Sequence, residues 1–383
     1  MTKPIVSVVM VTCDVDRFLA ESIESILGQT FRDFEFVIAD FGSTDKSKSI
    51  ISDYAAKDSR IKFYEISHRS LAKARNAGCF LAQGEYIAVA DADDVSDPNR
   101  LQWEVEFLEK HPQVGALGGA VEWIDSAGRS LYIAQHPVDD REIRSALLTH
   151  SVLWHPTALI RNDAFISVGG YRPVFVQAED YDLWLRIAQH FQLANLDRVV
   201  LKYRIHPNQI SMRERAEQTF CVLAAQFAAS SRREELPDPL DSAEAITPAA
   251  LAGWGVTRVR LQRALFSDRR QWIRHMCMAG EYSVALQAAI ESLQSDLKDV
   301  EPWQVADLEL TVAQLYWRRK EYAKSFLAVT RALATRPLIV GRPIRSALRR
   351  FGLLSIGNYL AGHLGSESSD RPVELTRGNR AKR

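Results

Sequence analysis

Short apolar runs alternate with stretches of helical period through residues 5–91, and that alternation leaves few folds open. "IVSVVMV" (5–11), "FEFVIAD" (34–40), "IKFYEI" (61–66) and "EYIAVAD" (85–91) have the length and the β-branched or aromatic content of buried strands. After the first of them, Phe18, Leu19, Ile23, Ile26 and Leu27 fall on one helical face. "GSTDKSKSIISDYAAK" opens with turn and cap residues before a second helix. "SLAKARNAGCFLAQG" reads as a third helix, with Gly84 as its C-cap. Strand–helix–strand order implies an α/β fold, a mostly parallel sheet with helices on both faces. Such sheets bind ligands beyond the carboxyl ends of their strands. Asp40 and Asp91 each close a strand, so both are expected to open onto one crevice.

Length and composition bound the rest. A chain of 383 residues suggests two domains, on a prior of roughly 100–200 residues each. Acids and bases balance at 48 each, so no global field recruits nucleic acid. Cys13, Cys79, Cys221 and Cys277 form no CxxC pair, which fits free thiols in a reducing compartment. No secretory pattern opens the chain, and no run approaches the roughly 18 apolar residues of a membrane span. The expected location is the cytoplasm.

The character changes after residue 212. The expected division is an α/β domain over 1–212, a helix and linker over 213–248, a helical domain over 249–365 and a disordered tail over 366–383. Residues 230–248 are polar, hold three prolines and read as a linker or an exposed connection. "AGEYSVALQAAIESL" (279–293) aligns with "RKEYAKSFLAVTRAL" (319–333), Glu281 over Glu321 and Ala288 over Ala328, like two degenerate tetratricopeptide-type hairpins. Residues 336–364 interleave Arg342, Arg345, Arg349 and Arg350 with apolar residues. Two readings stand: a basic helix resting on an anionic inner leaflet, or a helix packed on the repeats with solvated arginines.

Two acidic clusters carry the chemistry. "IAVADADDVSDP" (87–98) brings Asp91, Asp93, Asp94 and Asp97 together where a strand runs out. Aspartates collect at turns and N-caps; they also collect around a divalent cation. An EF-hand fails, because Ser96 stands where that loop needs Gly and Gln102 where it needs Glu. A sparse D-x-D suits an ion that keeps water and substrate phosphates. In "AEDYDLWLRIA" (178–188), the acids Glu179, Asp180 and Asp182 either complement a helix dipole or include a catalytic base. Leu183, Trp184, Ile187, Ala188 and Phe191 form that helix's buried stripe. Lys73 and Arg75 either face phosphates or are solvated, and His155 and His206 each precede a proline, where a packed ring is the plain alternative. "VTCDVDRFLAES" (11–22) holds no glycine, which removes the phosphate loop of a nucleotidyltransferase and the GxGxxG of a dinucleotide-binding dehydrogenase.

Three stretches in order, residues 6–47, 70–94 and 178–188, resemble the family 2 glycosyltransferases of GT-A fold, a likeness spanning roughly residues 4–212. The resemblance implies an inverting, metal-dependent transfer from a nucleotide-diphosphate sugar to a saccharide or lipid-linked saccharide, in polysaccharide or lipopolysaccharide assembly. It puts Val11 and Thr12 against the base and Asp40 in the nucleoside pocket; Arg75, on the helix before the D-x-D strand, is the basic residue expected to face the phosphates. Asp91, Ala92 and Asp93 become the DXD motif, with Asp93, Asp91 and His206 around Mn²⁺ or Mg²⁺. Glu179 and Asp180 supply the base, Asp180 being the choice, with Glu179 on the acceptor side; apart from the resemblance, His155 reads as structural or acceptor-side and Trp184 as core or acceptor-side platform. The chain departs from the family at Phe41, where a second acid is usual, and in Val11-Thr12-Cys13-Asp14, where Pro-Thr-Tyr-Asn is common. Phe41 stacking on the base is one answer to the missing acid. A relic transferase-like domain serving as a scaffold for its helical repeats is the alternative function.

Overall fold

A computed structural model describes residues 3–67, 70–206 and 215–336. Four parallel strands, β1 (Val6–Thr12), β2 (Phe34–Asp40), β3 (Ile61–Glu65) and β4 (Tyr86–Asp91), lie in the order β3-β2-β1-β4. The sheet continues through β5 (Val95–Ser96), β6 (Val114–Ile124), β7 (Ser130–Ala134), β8 (Leu159–Arg161) and β9 (Gln192–Arg204). Its order is β3-β2-β1-β4-β8-β6-β9-β5, with β7 on the side of β6. The short β8 runs antiparallel to both β4 and β6, so the second half of the sheet is mixed. Helices α1 (Asp16–Leu27), α2 (Ser47–Ala55), α3 (Leu71–Leu81), α4 (Arg100–Lys110), α5 (Asp140–Leu147), α6 (Asn162–Ser167) and α7 (Glu179–Ile187) connect the strands.

The two-residue period of the strands sorts their side chains between two cores. Val6, Val8 and Met10 of β1 pack with Phe36 and Ile38 of β2 and with Leu19, Ile23 and Ile26 of α1. Val9, Val37, Ile87 and Val89 point the other way, into a core that includes Trp184 of α7. Burial on both faces explains why these strands read as continuous apolar runs. Gly84 does not cap α3, which ends at Leu81 with an extended Ala82 behind it. It is needed for close approach instead: a Cβ there would stand 2.5 Å from the Ser7 nitrogen and 2.8 Å from the Val6 carbonyl carbon.

Contacts divide the chain into Met1–Val300 and Glu301–Arg383. Helices Arg215–Arg233, Pro248–Trp254, Arg258–Ala279 and Tyr282–Leu293 therefore belong to the first unit. Cys221, Leu223, Ala224, Ala225 and Ala228 of the first of these helices enter the core that holds Trp184. The proline-rich 230–248 stretch is also tied down. Asp238 pairs with Arg172 at 2.8 Å and with Arg232, and Leu240 is buried. In the second unit the described residues form one hairpin, Pro302–Arg318 with Tyr322–Thr335, closed by a Ser325 hydroxyl donating to the Ala313 carbonyl at 2.8 Å. Each aligned helix starts behind a left-handed residue, Gly280 (φ 85°) or Lys320 (φ 62°), and buries Ala288 or Ala328. Among the described residues no helix is long and apolar enough to cross a membrane. The basic stretch beyond Arg336 and the tail at 366–383 lie outside the described residues.

His275, on the Arg258–Ala279 helix, packs its ring 4.5 Å from that of Trp123 on β6. Burial, aided by Arg215 and Arg274, pushes the imidazole down from 6.5 to about 4. The unfolded chain therefore takes up a proton that the folded chain resists, and stability falls as pH drops from 6.5 toward about 4. Each unit of such a shift is about 1.4 kcal/mol. His275→Phe is expected to flatten this limb of the stability profile, measured as urea midpoints across the pH range.

Candidate active site

β1 and β2 end side by side, with Thr12 opposite Asp40. Asp40 is buried, and both its oxygens are engaged. One accepts from the Thr12 hydroxyl at 3.1 Å, the other from the Gly42 and Ser43 amides at 3.1 and 3.0 Å. These bonds hold the turn that carries Phe41. Asp14, in a left-handed conformation at φ 49°, reaches across to the Thr44 and Asp45 amides at 2.7 and 3.2 Å. The loops after β1 and β2 are thereby stapled into one wall.

The D-x-D turn follows β4 and is bolted to β9. The Arg204 amide donates to Asp94 Oδ1 at 2.8 Å, and its guanidinium Nε donates to the Asp93 carbonyl at 2.9 Å. The Asp94 carboxyl is pushed well up by burial, then by Asp93 and Asp91. His206, just beyond β9, brings Nε2 to 3.0 Å from Asp93 Oδ2. Asp93 thus shares its place with an imidazole.

The third piece is the N-terminus of α7. It begins after Ala178, a left-handed alanine at φ 55°, ψ 27°. Arg75 on α3 forms an ion pair with the buried Glu179 and reaches Asp91 Oδ1 at 3.4 Å. Burial raises the Glu179 carboxyl, with Arg75 opposing. Burial also acts upward on Asp91, but His155, Arg75 and Arg100 outweigh it, so this carboxyl lies below its usual range. His155 Nε2 meets the Tyr171 hydroxyl at 2.9 Å, while Nδ1 stands 3.7 Å from Asp91 Oδ1. The side chain of Asp180, a half-buried residue, forms no hydrogen bond or ion pair among the described residues. It lines the same cleft, of about 360 Å³, as Asp91 and Asp93.

The glycosyl transferase family 2 model matches residues 7–169. The uncharacterised glycosyltransferase MJ1057 of Methanocaldococcus jannaschii is 34% identical over 215 residues, covering 55% of this chain and 73% of that one. The chain belongs to glycosyl transferase family 2. The Escherichia coli O-antigen biosynthesis glycosyltransferase WbnJ is 31% identical over 205 residues, covering 52% of this chain and 80% of its own. S. aureus TarS 1-349, solved in complex with UDP-GlcNAc, aligns with a TM-score of 0.50 at 17% identity, over 85% of this chain and 90% of that one. That likeness shows the GT-A fold.

In this glycosyltransferase the cleft brings together Val11, Phe41, Arg75, Asp91, Ala92 and Asp93. His155, Glu179, Asp180 and His206 line it as well. Thr12 and Asp40 are buried behind it, their side chains bonded to each other. Trp184 is a core residue rather than an acceptor platform: it is 0% exposed, one turn down the buried face of α7. Sequence reasoning missed Asp14, Trp154, Gln177, Tyr203 and Gln218 as lining residues. Asp14 carried a signal in the loop after the first strand. Tyr203 and Gln218 carried none, since only β9 and the Arg215–Arg233 helix bring them there. Among the described residues no three His, Cys, Asp or Glu side chains cluster closely enough to hold a metal unaided.

Arg75→Ala leaves Glu179 buried without its partner. It is expected to cost about 3–5 kcal/mol of stability, the usual price of breaking a buried pair. Adding Glu179→Gln should recover part of that loss in urea denaturation; strictly additive losses would show that the pair is not coupled.

Proposed function

We propose that residues 1–212 carry out an inverting, metal-dependent transfer of a sugar from a nucleotide diphosphate to a hydroxyl of a saccharide or lipid-linked saccharide. The observation that carries this reading is an unpaired carboxylate, Asp180, in the cleft that Asp91 and Asp93 also line. The UDP-GlcNAc bound by TarS and the O-antigen role in the name of WbnJ support the donor class and the polysaccharide setting. A lipid-linked acceptor would put the reaction at the cytoplasmic face of a membrane.

The donor set suits Mn²⁺ or Mg²⁺. Asp93 and His206 stand 3.0 Å apart and Asp91 lines the same cleft, a sparse set for an ion that would take its other ligands from phosphates and water. Bound there, the ion supplies Lewis-acid neutralisation of the departing diphosphate. Asp180 accepts the proton of the acceptor hydroxyl as that oxygen bonds to the anomeric carbon. The bond from that carbon to the diphosphate oxygen breaks on the opposite face, so configuration inverts. Arg75 is committed to Glu179 and Asp91, which makes it a positioning residue first.

Nucleotide release from UDP- or GDP-sugars in Mn²⁺ tests the reading. Asp180→Asn is expected to slow it about 10²–10⁴-fold, the contribution of a positioned general base. Asp93→Ala or EDTA is expected to abolish it, and turnover of Asp180→Asn at the wild-type rate would overturn the assignment. The ring of Phe41 takes the place of the family's second acid by stacking on the base. Phe41→Ala should then weaken UDP or GDP binding about tenfold in calorimetry, within the ~1–3 kcal/mol range of base–aromatic stacking; unchanged affinity removes the stacking.

A further inference from the structure

We infer that the helical region completes an acceptor-sugar subsite in this cleft, with Trp154 and Tyr203 as its ring wall and Gln218 as its amide. The inference rests on the reading above, because it takes Asp180 as the group that meets the acceptor.

All three residues line the cleft together with Asp180. They come from elements other than the ends of β1, β2 and β4, where Val11, Phe41 and the D-x-D turn form the nucleotide side. Trp154 precedes the 155–157 turn, Tyr203 lies on β9 and Gln218 on the Arg215–Arg233 helix. Tyr203 and Gln218 also lie beyond the 7–169 span of the family model. Of the three, Trp154 lies inside that span, Tyr203 belongs to the sheet, and Gln218 comes from the helical part that follows it.

The two rings are held rigidly. Their centroids are 5.3 Å apart, tilted by 42°. Trp123, 4% exposed, backs both: edge-on to Trp154 at 5.3 Å and tilted to Tyr203 at 4.9 Å. Tyr132 stacks on Trp123 at 5.1 Å, and His275 of the Arg258–Ala279 helix packs on it at 4.5 Å. The helix bearing Gln218 is anchored at its start, where Arg215 pairs with Asp268 at 2.7 Å and lies over the Trp272 ring. The Gln218 amide forms no hydrogen bond among the described residues. Rigid aromatic rings lose little entropy on contact.

That combination fits a pyranose. A sugar ring offers C–H faces that pack on aromatic rings and hydroxyls that bond an amide's donor and acceptor at once. A mostly apolar wall with one convergent polar group fixes orientation, as small-ligand sites do. The wall lies on the cleft with Asp180, where an acceptor hydroxyl must be presented for deprotonation.

The test is a printed array of mono- to tetrasaccharides probed with the full chain in UDP or GDP plus Mn²⁺. Wild type is expected to select a defined saccharide set. Gln218→Leu and Trp154→Ala are expected to lower those signals at least about fivefold, the factor of an ordinary hydrogen bond or ring contact. Should Trp154→Ala fail to fold, Gln218→Leu decides. The rise in melting temperature of wild type with UDP or GDP plus Mn²⁺ reads the donor site separately. A nucleotide shift with no saccharide bound, or with both variants binding like wild type, overturns the subsite and leaves the donor reading standing. No nucleotide shift overturns the donor reading, and the subsite with it.

Discussion

Arg75 holds together two parts of the chain that would otherwise repel. Glu179 and Asp91 are both acidic, and the guanidinium between them pairs with each. An unpaired carboxylate in the site of Glu179 would lose hydration without compensation. The planar, permanently charged fork of an arginine can serve both acids at once, which a lysine point charge does less well. This contact fixes the first turn of α7 against the end of β4. The place of Asp180 follows, since neighbouring residues on a helix cannot both face the same partner. One acid is spent on architecture and the next is left to the cleft. The left-handed Ala178 stands at this junction, a conformation that costs local strain in a non-glycine residue.

The other acids divide in the same way. Asp40 and Asp14 satisfy backbone amides of the two loops over the strand ends, and Asp94 accepts the Arg204 amide. Each builds wall. Asp93 faces His206, and Asp180 faces open space. A cleft at the carboxyl ends of parallel strands needs such builders, because loops leaving a sheet carry amides that no ladder satisfies. Carboxylates stand both in the wall and on the open cleft, and residue type alone does not separate them.

Strand identity was legible because both faces of β1, β2 and β4 are buried, which writes unbroken apolar runs into the chain. The D-x-D turn and the Glu179–Asp180 pair stood out as acidic clusters, and folding brings them to one cleft; the paired spacing of the helix hairpins was legible too. Gly84 misled, because a glycine after a helical pattern looks the same whether it caps the helix or admits a neighbouring strand. Trp184 was legible as part of a helical stripe, and its full burial settles it as core. β5, two residues long and paired with β9, left no periodic trace, yet it aligns the D-x-D turn with the strand that leads to His206.

Local order is therefore written in the chain itself: apolar period gives the strands and helices, and turn chemistry gives the loops that end them. The assignment of labour among the acids came from packing, because it depends on which amide or guanidinium lies within 3–4 Å, and those partners arrive from distant segments. Asp40 and Asp180 each close or open an element in the sequence with equal promise. Folding gives one a hydroxyl and two amides and leaves the other bare in the cleft, since long-range contacts are set by the shape of the sheet rather than by neighbours along the chain.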